Sequence, residues 1–128
     1  LRQYVNGKEM VMTQTAFSEF IPIVNTIATL SEQTRANRLL QRVTIIPDNP
    51  SSRALNLKPT RKLGSNDIII LGTGDQLGIV TTTADEKAVG AATAQGVDFH
   101  VYIHLPFPLT GNKSCKSVFH HIYKVHIN

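Results

Sequence analysis

The spacing of apolar positions changes along the chain, and each change marks an element boundary. Tyr4 and Val5, then Met10, Val11 and Met12, flank Asn6-Gly7. That pair suits a two-residue turn in which both central residues take positive φ, so Leu1 to Thr13 reads as an N-terminal hairpin. Phe17, Phe20, Ile21, Val24, Ile27 and Ala28 then recur at the i, i+3, i+4 spacing of one buried helix face. Thr15 or Ser18 stands where a helix cap is expected. Pro22 marks either a late start or a kink, because an interior proline removes a hydrogen bond. Beyond Leu30 the stripe rotates, and Ser31-Glu32 supplies a fresh cap with an acidic first turn. The pattern predicts helices over 16–30 and 32–41, joined as a long or bent helix of about 16–41.

From Arg42 the period is that of strands. Val43 to Ile46 is β-branched and ends at Pro47-Asp48-Asn49-Pro50. Residues 48–62 are polar and proline-bearing, as a loop would be. Asp67 to Leu71 and Leu77 to Thr82 flank Gly72-Thr73-Gly74-Asp75, which predicts a second hairpin. A dinucleotide-binding loop is the competing reading of Gly72 and Gly74. Gly78 falls one position too late for it, and the strand-like Ile79 to Thr82 follows where a helix N-terminus is needed. Thr83 and Glu86 have capping-box spacing and open a short second helix, Ala84 to about Gln95, closed by Gly96. Two long strands, Val97 to Leu105 and Ser117 to Ile127, complete the pattern. The sum is an α+β fold: a mainly antiparallel sheet with the helices packed on one face.

Composition narrows the function classes. The 128 residues fit a single domain spanning 1–128. Charged residues are 17% of the chain, below the usual figure of about 25%, so a charge-rich disordered chain is excluded. No apolar run is long enough to span a bilayer, which argues against a membrane partner. The single Cys115 forbids an intrachain disulfide and a multi-cysteine zinc site, and no metal or cofactor is implied. It lies between Lys113 and Lys116, which would lower its pKa, but no catalytic partner is identifiable and a spectator loop thiol is the simpler reading. The chain opens on Leu1, as a processed product or fragment would, and no leader reveals its compartment.

Charge placement says more than the total. Arg35, Arg38, Arg42, Arg53, Lys58, Arg61 and Lys62 lie between Gln33 and Asn66, opposed only by Asp48. Arg35, Arg38 and Arg42 share one helix face. Concentrated arginine suits phosphate oxygens, because each contact releases a condensed counterion. No aromatic residue occurs from Ile21 through Asp98, so this region cannot stack bases and would read the backbone rather than sequence. A merely solvated basic face is the plainer alternative.

All five histidines lie in the last two predicted strands. Asp98, His100, Tyr102 and His104 alternate onto one face, as do His120, Lys124 and His126. If these strands pair, His100, His104, His120 and Lys124 would converge as the base, acid and cation that phosphodiester cleavage needs. Zinc or copper ligation, a pH switch, and an ordinary solvent-facing sheet surface are the other readings. His100-Val-Tyr102-Ile-His104-Leu-Pro106 resembles the histidine-triad motif of nucleotide hydrolases, in which three histidines alternate along a strand. Tyr102 stands where that family has its nucleophile, so no membership is assigned.

The leading expectation is a non-enzymatic, self-associating, coat-like subunit that forms homo-oligomers. It would hold nucleic-acid backbone through Arg35, Arg38, Arg42, Arg53, Arg61 and Lys62. A metal-independent ribonuclease using His100, His104, His120 and Lys124 is the first alternative, and a protein-binding α+β module the second.

Overall fold

Two parallel strand pairs frame the protein. The computed structural model describes residues 10–27, 30–83, 85–103 and 125–127. In order these form β1 (Met10–Thr13), α1 (Gln14–Ile27), α2 (Leu30–Gln41), β2 (Val43–Ile46) and α3 (Ser52–Leu55). There follow α4 (Ser65–Leu77), β3 (Val80–Thr83), α5 (Glu86–Ala94), β4 (Val101–Ile103) and β5 (Val125–Ile127). The sheet order is β2-β1-β5-β3-β4. β1 runs parallel to β2, with Met10 beside Val43 and Thr13 beside Ile46. β3 runs parallel to β4, with Thr81 beside Val101 and Thr83 beside Ile103. β5 lies between the pairs and is antiparallel to both β1 and β3.

The α+β composition agrees with the sequence pattern, but the mainly antiparallel sheet does not stand. Strands 10–13 and 43–46, and again 80–83 and 101–103, are joined through helices, and a helical crossover returns the chain parallel. The expected hairpin of residues 1–13 lies largely outside the described residues; its second arm is β1. The second expected hairpin is absent, because residues 65–77 are helical and Gly72 and Gly74 lie inside α4. Of the expected strand Val97 to Leu105, residues 97–100 are not strand and Val101–Ile103 form β4; of Ser117 to Ile127 only Val125–Ile127 lies within the described residues, as β5.

The helical reading of the N-terminal half fares better. α1 begins two residues before the expected 16–30 and ends three residues short of it, α2 begins two residues before the expected 32–41 and ends with it, and Pro22 is accommodated inside α1. Ser18 and Pro22 are both exposed, so the helix bond that proline cannot make is lost on the solvent side. Neither Thr15 nor Ser18 is the cap. The last residue of β1 takes that role, with the buried Thr13 Oγ1 accepting from Ala16 N at 3.1 Å. α5 likewise starts on Asp85, whose Oδ1 accepts from Ala88 N at 3.0 Å, and Thr83 Oγ1 accepts from Asp85 N.

α4 is the centre of the packing. Ile68 and Leu71 join Ala54, Leu57, Leu63, Ala88, Ala92, Val97 and Phe99 in one cluster. Ile70, on the other side of the helix, joins Met12 and Ala16 in a second, with Phe17, Leu40 and Val43 against it. A helix apolar on several faces is a buried one, and its sequence loses the single stripe that identifies a surface helix. Asp67 Oδ2 accepts from Gly64 N at its start, and Gly78, at φ 71°, ends it in the left-handed conformation.

The chain leaving β2 is stitched along α4. Asn49 N donates to Thr73 Oγ1 and Ser51 N to Gly72 O, each at 3.0 Å, while Ser51 Oγ donates to Asp75 at 2.6 Å. A Cβ on Gly72 would stand 2.6 Å from the Ala54 Cβ and 2.8 Å from the Pro50 Cβ. Gly72→Ala is therefore expected to destabilise the fold by about 1–3 kcal/mol, the usual cost of overpacking. Denaturant unfolding checks this, and an unchanged midpoint would show that the two segments can separate freely.

Candidate nucleic-acid interface

α2 turns Ala36 and Leu40 inward, Ala36 fully buried and Leu40 half-buried against the Met12–Ile70 cluster. At 100° per residue, Arg35 and Arg38 project within an arc of about 60° on the opposite side, and Arg42 follows directly after the helix ends at Gln41. All three are exposed, and none has an ion-pair partner among the described residues. Asp48, the one acid between Gln33 and Asn66, is engaged with Thr15, accepting from both its backbone N–H and its hydroxyl.

A second pair of cations is held at a turn tip. Thr60 N donates to Leu63 O at 2.8 Å and Leu63 N donates to Thr60 Oγ1 at 3.1 Å, closing residues 60–63. Leu63 anchors the turn in the core, leaving Arg61 and Lys62 exposed at its centre. The preceding stretch is fixed by Gln95, which accepts from Lys58 N at 2.8 Å and donates to Lys58 O at 2.9 Å.

Arg53 is different. Its fork grips Asp75 through Nε–H···Oδ2 at 2.8 Å and Nη2–H···Oδ1 at 2.6 Å, and Nη2 also reaches Asp98 O at 3.0 Å. The guanidinium lies 5.9 Å from the centre of the Phe99 ring. Hydrogen bonding from Arg53 is the main cause that holds the Asp75 carboxyl below its ordinary range, partly offset by burial and reinforced by Ser51. The same bond raises the Arg53 pKa. This guanidinium ties α3 to α4 and to the approach to β4, so its charge is largely answered within the fold.

The direct pairing of the last two strands, from which the sequence argued a histidine constellation, is not formed between β4 and β5. β3 separates them. His100 is exposed just before β4, and its carbonyl accepts from Thr81 N at 3.1 Å. His104, His120 and Lys124 lie outside the described residues.

Two recesses, one polar and one mainly apolar, were not anticipated. Gln14, Thr15, Ser18, Glu19, Asp48 and Asn66 line an open cleft of about 450 Å³. Asp67, Thr83 and Asp85 meet at a much smaller one near the ends of β3 and α4. The carboxyl ends of parallel strands are a recurrent place for ligands, yet Asp67 and Asp85 are both used as helix caps. Among the described residues, no group of three or more His, Cys, Asp or Glu is arranged to hold a metal ion. The sequence signal for this region was the crossover topology, which the hairpin reading concealed.

The Arg53–Asp75 pair fixes a direction for pH dependence. A depressed carboxyl contributes stability that is complete above the ordinary aspartate range and lost as pH falls through its folded-state value. Wild type should therefore lose stability as pH falls through and below the ordinary aspartate range, while Asp75→Asn should start less stable at neutral pH and change less as the pH is lowered. Thermal melts across the range decide it; parallel curves would show that the pair does not contribute.

A model of one protein family, described as "Protein of unknown function (DUF1308)", matches residues 1–117. No solved structure matches the chain.

Proposed function

The chain belongs to the DUF1308 family, and we propose that it is a self-associating protein that binds nucleic-acid backbone without reading its sequence. The observation that carries this reading is the state of the arginines on and just after α2. Arg35 and Arg38 on the helix and Arg42 directly after it are exposed and have no carboxylate partner among the described residues. Uncompensated guanidinium groups in a row suit phosphate oxygens, to which each presents a planar fork. Arg61 and Lys62 add cations on a turn whose shape is set by Thr60 and Leu63.

Arg53 takes no direct part in the proposed contact, because a fork already bonded to Asp75 would have to surrender those bonds to reach a phosphate. Binding through the remaining cations is electrostatic, so affinity falls with salt in proportion to the phosphates neutralised. The histidine-based ribonuclease loses the strand pairing on which its constellation depended.

Size exclusion with light scattering, read at the nucleic-acid and protein absorbance maxima, tests association and bound nucleic acid together. Arg38→Ala combined with Arg42→Ala should weaken binding to a single-sequence duplex and shallow the logarithmic salt slope by about two units. Arg53→Ala should lower thermal stability while leaving that slope in place. An unchanged slope in the double variant removes the α2 face from the interface.

A further inference from the structure

We propose that β2 is the self-association edge, pairing antiparallel with β2 of a second copy to continue the sheet across a two-fold axis. The inference rests on the self-association in the reading above and names the surface responsible. β2 ends the strand order, with β1 as its sole strand partner among the described residues. Its outer backbone groups are therefore a template for another strand.

The sequence of this edge does nothing to discourage pairing. Val43-Thr44-Ile45-Ile46 is β-branched throughout and contains no charged or proline residue, the usual devices that protect an edge. Thr44 is exposed, and Ile45 keeps 38% of its surface accessible, large for an isoleucine in a strand.

Charge favours a second copy over an unrelated peptide. Arg42 precedes the strand and Asp48 lies just beyond its end, both exposed; Asp48 keeps its carboxylate open to solvent while accepting from Thr15. A two-fold axis normal to the sheet sets the central residue opposite its own copy, so in the antiparallel register centred on Ile45 the two Ile45 residues face each other and Thr44 faces Ile46. Arg42 then comes alongside the opposite copy's Asp48 region at both ends of the ribbon. A two-fold interface repeats every contact, so one self-complementary strand supplies both attractions.

Sedimentation of the nucleic-acid-free full chain tests this with Ile45→Lys, Arg42→Asp, and Arg42→Asp combined with Asp48→Arg. Circular dichroism reports whether each variant folds. Wild type should show a concentration-dependent dimer, and Ile45→Lys should raise its dissociation constant by at least about tenfold. Arg42→Asp should also weaken it, and the charge-swapped double variant should recover association. Should Ile45→Lys unfold, Arg42→Asp alone decides. A wild-type chain that stays monomeric overturns both this inference and the self-association on which it rests. A dimer untouched by Ile45→Lys and Arg42→Asp overturns the β2 assignment and leaves self-association standing.

Discussion

The close approach at Gly72 is the constraint on which the arrangement depends. α4 serves both packing clusters, so its position fixes how α1 and α2 meet the β1 side and how α3 and α5 meet the β3 side. The segment leaving β2 can lie against α4 only because Gly72 presents no side chain to Pro50 and Ala54. Hydrogen bonds from Asn49 and Ser51 then hold it there. Arg53 is placed to reach Asp75 by that contact, and its bond to the Asp98 carbonyl extends the tie toward β4. One small residue thus couples a helix, a loop and an ion pair.

The sheet is organised by a different economy. Each parallel pair is closed by a helical crossover, α1–α2 for β1 and β2 and α5 for β3 and β4. The pairs do not touch one another through hydrogen bonds; β5 joins them, opposing Met10 and Val80 alike with Ile127. The family match ends at residue 117, before β5 begins. Placing β5 centrally leaves β2 and β4 as the edges among the described residues. It also puts β3 between the two strands whose histidines seemed destined to meet.

How much of this was legible varies with how one-sided each element is. Phe17, Phe20 and the positions after them carry a helical stripe because α1 has a solvent side, and Val43 to Ile46 is a strand in both sequence and structure. Ile68-Ile69-Ile70-Leu71 reads as a strand because β-branched runs favour strands locally. Burial on opposite sides of α4 overrides that preference and erases the period that would have revealed it. The glycines misled for a related reason: Gly72 serves a helix contact, where the sequence alone suggests a turn. The arginines of the candidate interface were visible because exposed charge needs no tertiary partner. Arg53 belonged by composition to the same group, and only the fold reveals Asp75, far along the sequence, as its partner.

The fate of the carboxylates explains why the positive segment remains positive in three dimensions. Asp48 accepts from Thr15, Asp67 from Gly64 at the start of α4, and Asp85 from Ala88 at the start of α5. Asp75 is bound to Arg53 and Ser51. Acids near helix starts oppose the positive end of the helix dipole and satisfy backbone donors, so their charge is directed inward to local partners. The cations of α2 and of the 60–63 turn have no comparable duty. Their neighbours are Ala36, Leu40 and Leu63, which use the apolar side of each element and leave the charge in water. A chain with a formal charge of only +4 can therefore present a stronger local field than its net charge implies, because the fold engages Asp48, Asp67, Asp75 and Asp85 and leaves these bases exposed.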